Sequence, residues 1–190
     1  MIRSAREQDA GRIADIWLDT NVKAHAFIPD QYWRANFEAV KEMMPQAELY
    51  VYEDEQGIQG FVGLQKDYVA GIFVRSEAQS QGIGKKLIGF VKGRKERLSL
   101  KVYQKNRRAV KFYLSERFSI CGEGIDEGTG EAEYTMEWKM AQDNGVENGA
   151  GDLQIEKNSG IIPPLITQKG EDIHVRTFQV AQYTKNQGRS

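Results

Sequence analysis

Cysteine is nearly missing from this chain. Cys121 stands alone, which excludes an internal disulfide and fits a reducing compartment, so a cytoplasmic location is expected. It falls in a strand-like stretch, where an inert core thiol is expected rather than a nucleophile. Long apolar runs are also missing, so no membrane partner is expected. Met1-Ile2-Arg3-Ser4 reads as a strand and not as the start of a signal peptide. Charge of one sign is not in excess: 26 Lys and Arg against 27 Asp and Glu leave a net charge of -1. That argues against the broad basic footprint needed for nucleic acid. Histidine occurs twice and proline four times, and no metal centre is expected. Hydrophobic content of 40% and charged content of 28% belong to an ordinary globular protein.

Periodicity divides the chain near Met140. Residues 2 to 5 predict a short strand, and Asp9 is expected to cap a helix with Ile13, Ile16 and Trp17 on one face. A loop through His25-Ala26-Phe27-Ile28-Pro29 leads to a second helix. Its apolar positions are Trp33, Phe37, Val40 and Met44, Pro45 ends it, and Asp30 is a candidate cap. Two alternating runs, Leu49 to Tyr52 and Ile58 to Leu64, flank Asp54-Glu55-Gln56-Gly57 and predict a hairpin. Val69 to Val74 reads as a buried strand. A helix with Gly84, Leu87, Ile88 and Val91 inward follows, then a strand with Leu98, Leu100 and Val102 inward. Asn106 opens a helix presenting Ala109, Phe112, Tyr113 and Glu116. Strands from Phe118 to Cys121 and Ala132 to Met140 close the order β-α-α-β-β-β-α-β-α-β-β, a mixed α/β domain over residues 1 to 140. Residues 141 to 190 lose this patterning and are expected to be a flexible tail of unknown role. Within it lie an apolar stretch broken by Pro163 and Pro164, a strand-like stretch from Ile173 to Ala181, and an incidental His174.

The most informative stretch joins the apolar strand to the next helix: Gln79-Ser80-Gln81-Gly82-Ile83-Gly84-Lys85-Lys86. Glycines at this junction let main-chain N–H groups approach a phosphate, and the helix N-terminus adds partial positive charge. The dinucleotide fingerprint fails, because Leu87 stands where its third glycine belongs. The nucleotide-triphosphate loop fails too, because Lys86 replaces the magnesium-binding hydroxyl. A plain strand–helix turn is the alternative on the loop alone. Lys85 and Lys86 are the basic residues nearest to any bound phosphate.

Two separated signatures make residues 1 to 140 resemble the GNAT superfamily of acetyl-CoA-dependent N-acetyltransferases. Gln79, Gly82 and Gly84 match its Q/R-x-x-G-x-G/A loop, and Asn106, Ala109, Phe112 and Tyr113 match its N-x-x-A-x-x-F-Y helix. His25 to Ile28 with Tyr32-Trp33 is similar to a small bacterial subgroup, some members of which acetylate protein lysines. The resemblance implies a mostly antiparallel mixed sheet with flanking helices and a splayed central strand pair that holds acetyl-CoA. The cofactor arm would pair with main-chain groups of Ile72, Phe73 and Val74, and the pyrophosphate would lie on N–H groups of Gln81, Gly82, Ile83, Gly84 and Lys85. Gln79 would shape the loop, and Asn106 would either cap its helix or bond the cofactor arm.

By the same resemblance, an amine attacks the thioester directly in a ternary complex, and a strand N–H near Phe73 or Val74 stabilises the oxyanion. Tyr113 would protonate the leaving thiolate. Some relatives carry a glutamate base eleven residues before the loop; here that place holds Tyr68. A water chain, a desolvated amine or His25 are the remaining routes for the proton. Phe27, Tyr68 and His25 are expected to line the acceptor pocket, with Trp33 explained by its helical spacing as core. The expected partner is a primary amine, a protein lysine or N-terminus. A small-molecule amine acetyltransferase and a non-catalytic acyl-CoA-binding module are the alternatives.

Overall fold

The computed structural model describes residues 1–141. The apolar and strand-like stretches read between 161 and 181, and His174, lie outside the described residues. The elements are β1 (Ile2–Ser4), α1 (Ala10–Ala24), α2 (Asp30–Ala35), α3 (Phe37–Met43), β2 (Glu48–Asp54), β3 (Gly57–Gln65), β4 (Tyr68–Val74), α4 (Ile83–Lys92), β5 (Arg97–Tyr103), α5 (Arg107–Ser115), β6 (Ser119–Ile125) and β7 (Ala132–Lys139).

One seven-stranded sheet runs in the order β1-β2-β3-β4-β5-β7-β6. Every neighbouring pair is antiparallel except β4 and β5. Helices cover both faces, so alternate strand residues serve different cores. Val51, Phe61 and Tyr103 join Ile13, Trp17 and Trp33 in one cluster. Val62, Leu64, Leu100, Val102 and Met136 join Leu87, Ile88, Val91 and Tyr113 in the other. On β7, Tyr134, Met136 and Trp138 pack toward this second cluster, as its alternation predicts.

The structure departs from several expectations, and β4, read as a buried strand, is mostly half-buried, with only Val69 fully covered. The second helix is two: Asn36 sits at φ −100°, ψ 0°, and its Nδ2 donates to the Tyr32 carbonyl at 2.6 Å, which breaks the helix between α2 and α3. Asp9 does not cap α1. Its carboxylate accepts the Arg6 N–H at 2.7 Å and pairs with Arg3 at 2.6 Å, closing the short 3-10 turn before the helix. Pro29, not Asp30, occupies the N-cap of α2. Cys121 is not in the core: it is exposed on the edge strand β6, where burial is light and its Sγ faces the Thr135 carbonyl. β6 is the outermost strand of the sheet and nearly all of it is exposed, which the local apolar pattern does not reveal.

Candidate active site

The site begins where the sheet fails to close. β5 pairs with β7 along its whole length, from Arg97↔Lys139 to Tyr103↔Glu133, and β4 pairs with β3. Between β4 and β5 the only register pair is Tyr68↔Ser99, with the Ser99 N–H donating to the Asp67 carbonyl at 2.9 Å. Beyond that point the two strands diverge. A register shift between Gly63 and Leu64 bends the β3–β4 ladder, which raises local twist. The consequence is legible in burial: Ile72, Phe73 and Val74 are apolar yet only half-buried. Main-chain approach is close here as well, since a Cβ on Gly60 would lie 2.7 Å from the Phe73 carbonyl oxygen.

The turn into α4 supplies donors. Gly82 is its N-cap in the left-handed region, φ 79°, and the first bond of the helix runs from Lys86 N–H to the Gly82 carbonyl. The N–H groups of Ile83, Gly84 and Lys85 therefore have no intrahelical acceptor. No acidic residue stands in this first turn. Side chains hold the loop in shape. Gln79 Nε2 donates to the Val74 carbonyl at 2.9 Å, while Arg108, from α5, donates to Gln79 Oε1 at 2.6 Å and Ser80 Oγ at 3.2 Å. Gln81 Nε2 turns back to the Glu77 carbonyl at 3.1 Å. Lys86 lies over the Tyr52 ring at 5.2 Å. This donor set fits a pyrophosphate: turned backbone, unpaired N–H groups and a helix dipole of the right sign.

Tyr113 projects from α5 into the second core between the rings of Phe112 and Phe118, at 5.2 and 5.5 Å. Burial pushes its phenol well above the ordinary value, with a smaller contribution from Tyr68. Tyr68, at the one point where β4 meets β5, is pushed up likewise by burial, then by Glu133, with the Lys101 main chain opposing. Both phenols hold their protons at neutral pH.

The opposite wall is aromatic. His25, at the C-cap of α1, stacks on Trp33 at 5.3 Å and meets Phe27 and Tyr103 edge-on at 5.6 and 5.2 Å. Burial lowers its pKa to about 4, against a smaller upward pull from the Asn21 carbonyl. Its Nε2 lies 3.1 Å from Asn106 Nδ2. A neutral imidazole whose lone pair is engaged in this way is poorly set to take a proton from an amine. Asn106 does cap α5, its Oδ1 accepting the Ala109 N–H at 3.1 Å. Both ends of its amide are committed to the protein, so the capping alternative is the one seen.

Four residues of this wall were not anticipated as site residues. Tyr103 donates to Asp126 Oδ2 at 3.3 Å, and Asp126 Oδ1 accepts the N–H groups of Gly128 and Thr129 at 2.8 and 2.9 Å. Tyr32 and Tyr103 are both pushed up chiefly by burial, with Asp126 contributing. Glu133 is 2% exposed and takes Lys101 Nζ at 2.6 Å. The stretch Asp126-Glu127-Gly128-Thr129 carries an Asx-turn signal that marks the turn. Nothing local places it beside Tyr103, because β5 and β7 meet only in the folded sheet. A separate cavity of about 250 Å³ beside Arg6, Met44 and Leu49 shares no residue with this site. Among the described residues no cluster of His, Cys, Asp or Glu is arranged to hold a metal.

An opened strand pair, a donor-lined helix N-terminus beside it and a buried phenol behind it together define an N-acetyltransferase site. A family model described as "Acetyltransferase (GNAT) domain" matches residues 45–119. The peptidyl-lysine N-acetyltransferase YiaC of Escherichia coli K12 is 33% identical over 144 residues, covering 75% of this chain and 99% of that protein. The chain belongs to the GNAT acetyltransferase family and is an acyltransferase. In fold it is similar to YjaB of Escherichia coli, solved in solution in its apo form, with a TM-score of 0.66 at 23% identity over 72% of this chain and 95% of that one. It is also similar to yncA of Salmonella typhimurium, solved with acetyl-CoA, with a TM-score of 0.53 at 16% identity over 80% and 97%.

Proposed function

We propose that the protein transfers acetyl from acetyl-CoA to the ε-amine of a protein lysine. The observation that carries acetyl transfer is the divergence of β4 from β5 after Tyr68, which exposes strand edges beside the N–H groups that open α4. The pantetheine arm lies along Ile72, Phe73 and Val74 like an added strand, and the pyrophosphate rests on the turn from Gln81 to Lys85. The neutral amine attacks the thioester carbonyl. A strand N–H at Phe73 or Val74 holds the charge that develops on oxygen. The N–C bond forms, the C–S bond breaks, and the departing thiolate takes the proton of the Tyr113 phenol. The amine's proton leaves through solvent and restores Tyr113. Tyr68 closes the narrow end of the cleft, and Phe27 shapes the acceptor side.

A lysine acceptor is supported by the aromatic wall of Phe27, Tyr32 and Tyr103 beside the Asp126 carboxylate, which suits an aliphatic stem ending in an amine, and by the activity in the name of YiaC. The single cysteine supports work in the cytoplasm, and residues 1–140 form the acetyltransferase domain. Acetyl-CoA consumption measured against lysine peptides, N-terminal amines, polyamines and aminoglycosides tests the reading. Faster thiol release with lysine peptides supports it. Release with small amines alone moves the substrate to that class, and cofactor binding with no acceptor-dependent release makes the protein a binding module.

A further inference from the structure

α5 carries more than Tyr113. Its N-cap is Asn106, its second residue is Arg108, and its last turn precedes the buried Phe118. Arg108 reaches the loop that opens α4 through Gln79 and Ser80, and Gln79 in turn holds the Val74 carbonyl at the end of β4. The start of this one helix therefore sets both the phenol and the turn behind Gly82. What fixes that start is a short chain of hydrogen bonds. Asn106 Oδ1 accepts the Ala109 N–H, so the group facing His25 is the amide NH2, which only donates. His25 Nε2 must then be the acceptor, and the ring proton sits on Nδ1. That nitrogen is buried with no hydrogen-bond partner among the described residues. Trp33, Phe27 and Tyr103 fix the plane of the ring.

We propose that His25 is a positioning residue of the transfer site: by accepting from Asn106 it fixes the N-terminus of α5, and through that helix it places Tyr113 and the Arg108 grip on the glycine turn. The inference rests on the acetyltransferase reading. It assigns His25 to the alignment of the cosubstrate side rather than to proton removal from the amine or to acceptor contact alone. The groups that face the ring are Trp33 of α2, Phe27 of the preceding loop, Asn106 of α5, the Asn21 carbonyl of α1 and Tyr103 of β5. Tyr103 is the titratable one among them, and its hydroxyl points to Asp126.

The full chain contains only two histidines, so nitrogen-15 spectra of the imidazoles test the hydrogen-bond chain directly. His25 is expected as a fixed Nδ1–H tautomer that resists protonation until the pH approaches about 4. Asn106→Asp keeps an oxygen for the cap but removes the donor, and it is expected to move the proton to Nε2 and raise the titration of His25 above that of the parent protein. In kinetics, His25→Gln and Asn106→Asp should each lower kcat roughly tenfold, weaken acetyl-CoA several-fold by titration calorimetry, and leave the acceptor KM within about twofold. The double variant should be little worse than either single one. A loss confined to melting temperature, or a change confined to acceptor KM, overturns the proposal. So does a freely exchanging His25 tautomer in the parent protein. A parent protein that shows the tautomer but binds no acetyl-CoA overturns the acetyltransferase reading instead, and with it the functional half of this one.

Discussion

Tyr113→Phe removes a single hydroxyl from a ring held between Phe112 and Phe118, so the packing survives and the proton donor does not. Turnover should fall by roughly a hundredfold or more, with acetyl-CoA affinity unchanged, as read by thiol release and calorimetry. Near-normal turnover removes Tyr113 from the mechanism. His25 makes a different kind of prediction. Its pKa falls from 6.5 in the open chain to about 4 in the fold, so the unfolded state binds more protons between those values. The stability this group contributes is complete above pH 6.5 and is lost as the pH falls toward 4, amounting to about 3 kcal/mol at most. Unfolding free energies measured across that window should slope upward with pH, and the slope should flatten in His25→Gln. An equal slope in both proteins assigns the effect to other groups.

At the level of elements, Gly82 is the residue on which the turn depends. Its φ of 79° lies where an L side chain is strained, although a Cβ there would meet nothing within 4 Å. Gly82→Ala should therefore cost about 1 kcal/mol of stability through backbone conformation alone. It should also raise the acetyl-CoA dissociation constant, because relieving the strain turns the N–H groups of the turn away. Arg108→Ala should raise the same constant several-fold with stability within about 0.5 kcal/mol, since Arg108 is exposed and its side chain donates to Gln79 and Ser80 of the loop. Titration of each variant with coenzyme A decides both.

The elements were largely legible because their periods were strong. Leu98, Leu100 and Val102 marked a strand, and Leu87, Ile88 and Val91 marked a helix face. The split at Asn36 was not, since its cause is a side chain bonding back to the Tyr32 carbonyl at 2.6 Å, which leaves the apolar spacing intact. Site residues followed the same division. Gln79, Gly82, Asn106 and Tyr113 lie in contiguous motifs, whereas Tyr103, Asp126 and Glu133 meet through strand pairing. Their proximity exists only after β5 and β7 align. His25 was visible as a residue, but its partner is 81 positions away.

At the scale of the whole molecule, the two hydrophobic clusters among the described residues extend no further than Trp138, and YiaC is matched over 99% of its own length by 144 residues of this chain. A chain ending after Ala141 should therefore fold with a melting temperature close to that of the full protein and bind acetyl-CoA with unchanged affinity. Loss of cooperative unfolding in the shortened chain assigns part of the fold to residues 142–190.

The sheet is joined across its middle at one rung, Tyr68 to Ser99. Two stiff panels, β1 to β4 and β5 to β7, thus meet almost as leaves on a spine, and a cosubstrate lying between them becomes the missing lath. Filling that gap should make the leaves unfold together. Amide exchange along residues 70 to 74 and 100 to 103 should slow when acetyl-CoA is added, by more than at the outer strand β1. Equal slowing everywhere would mean that the ligand only stabilises the fold as a whole and does not splice its halves.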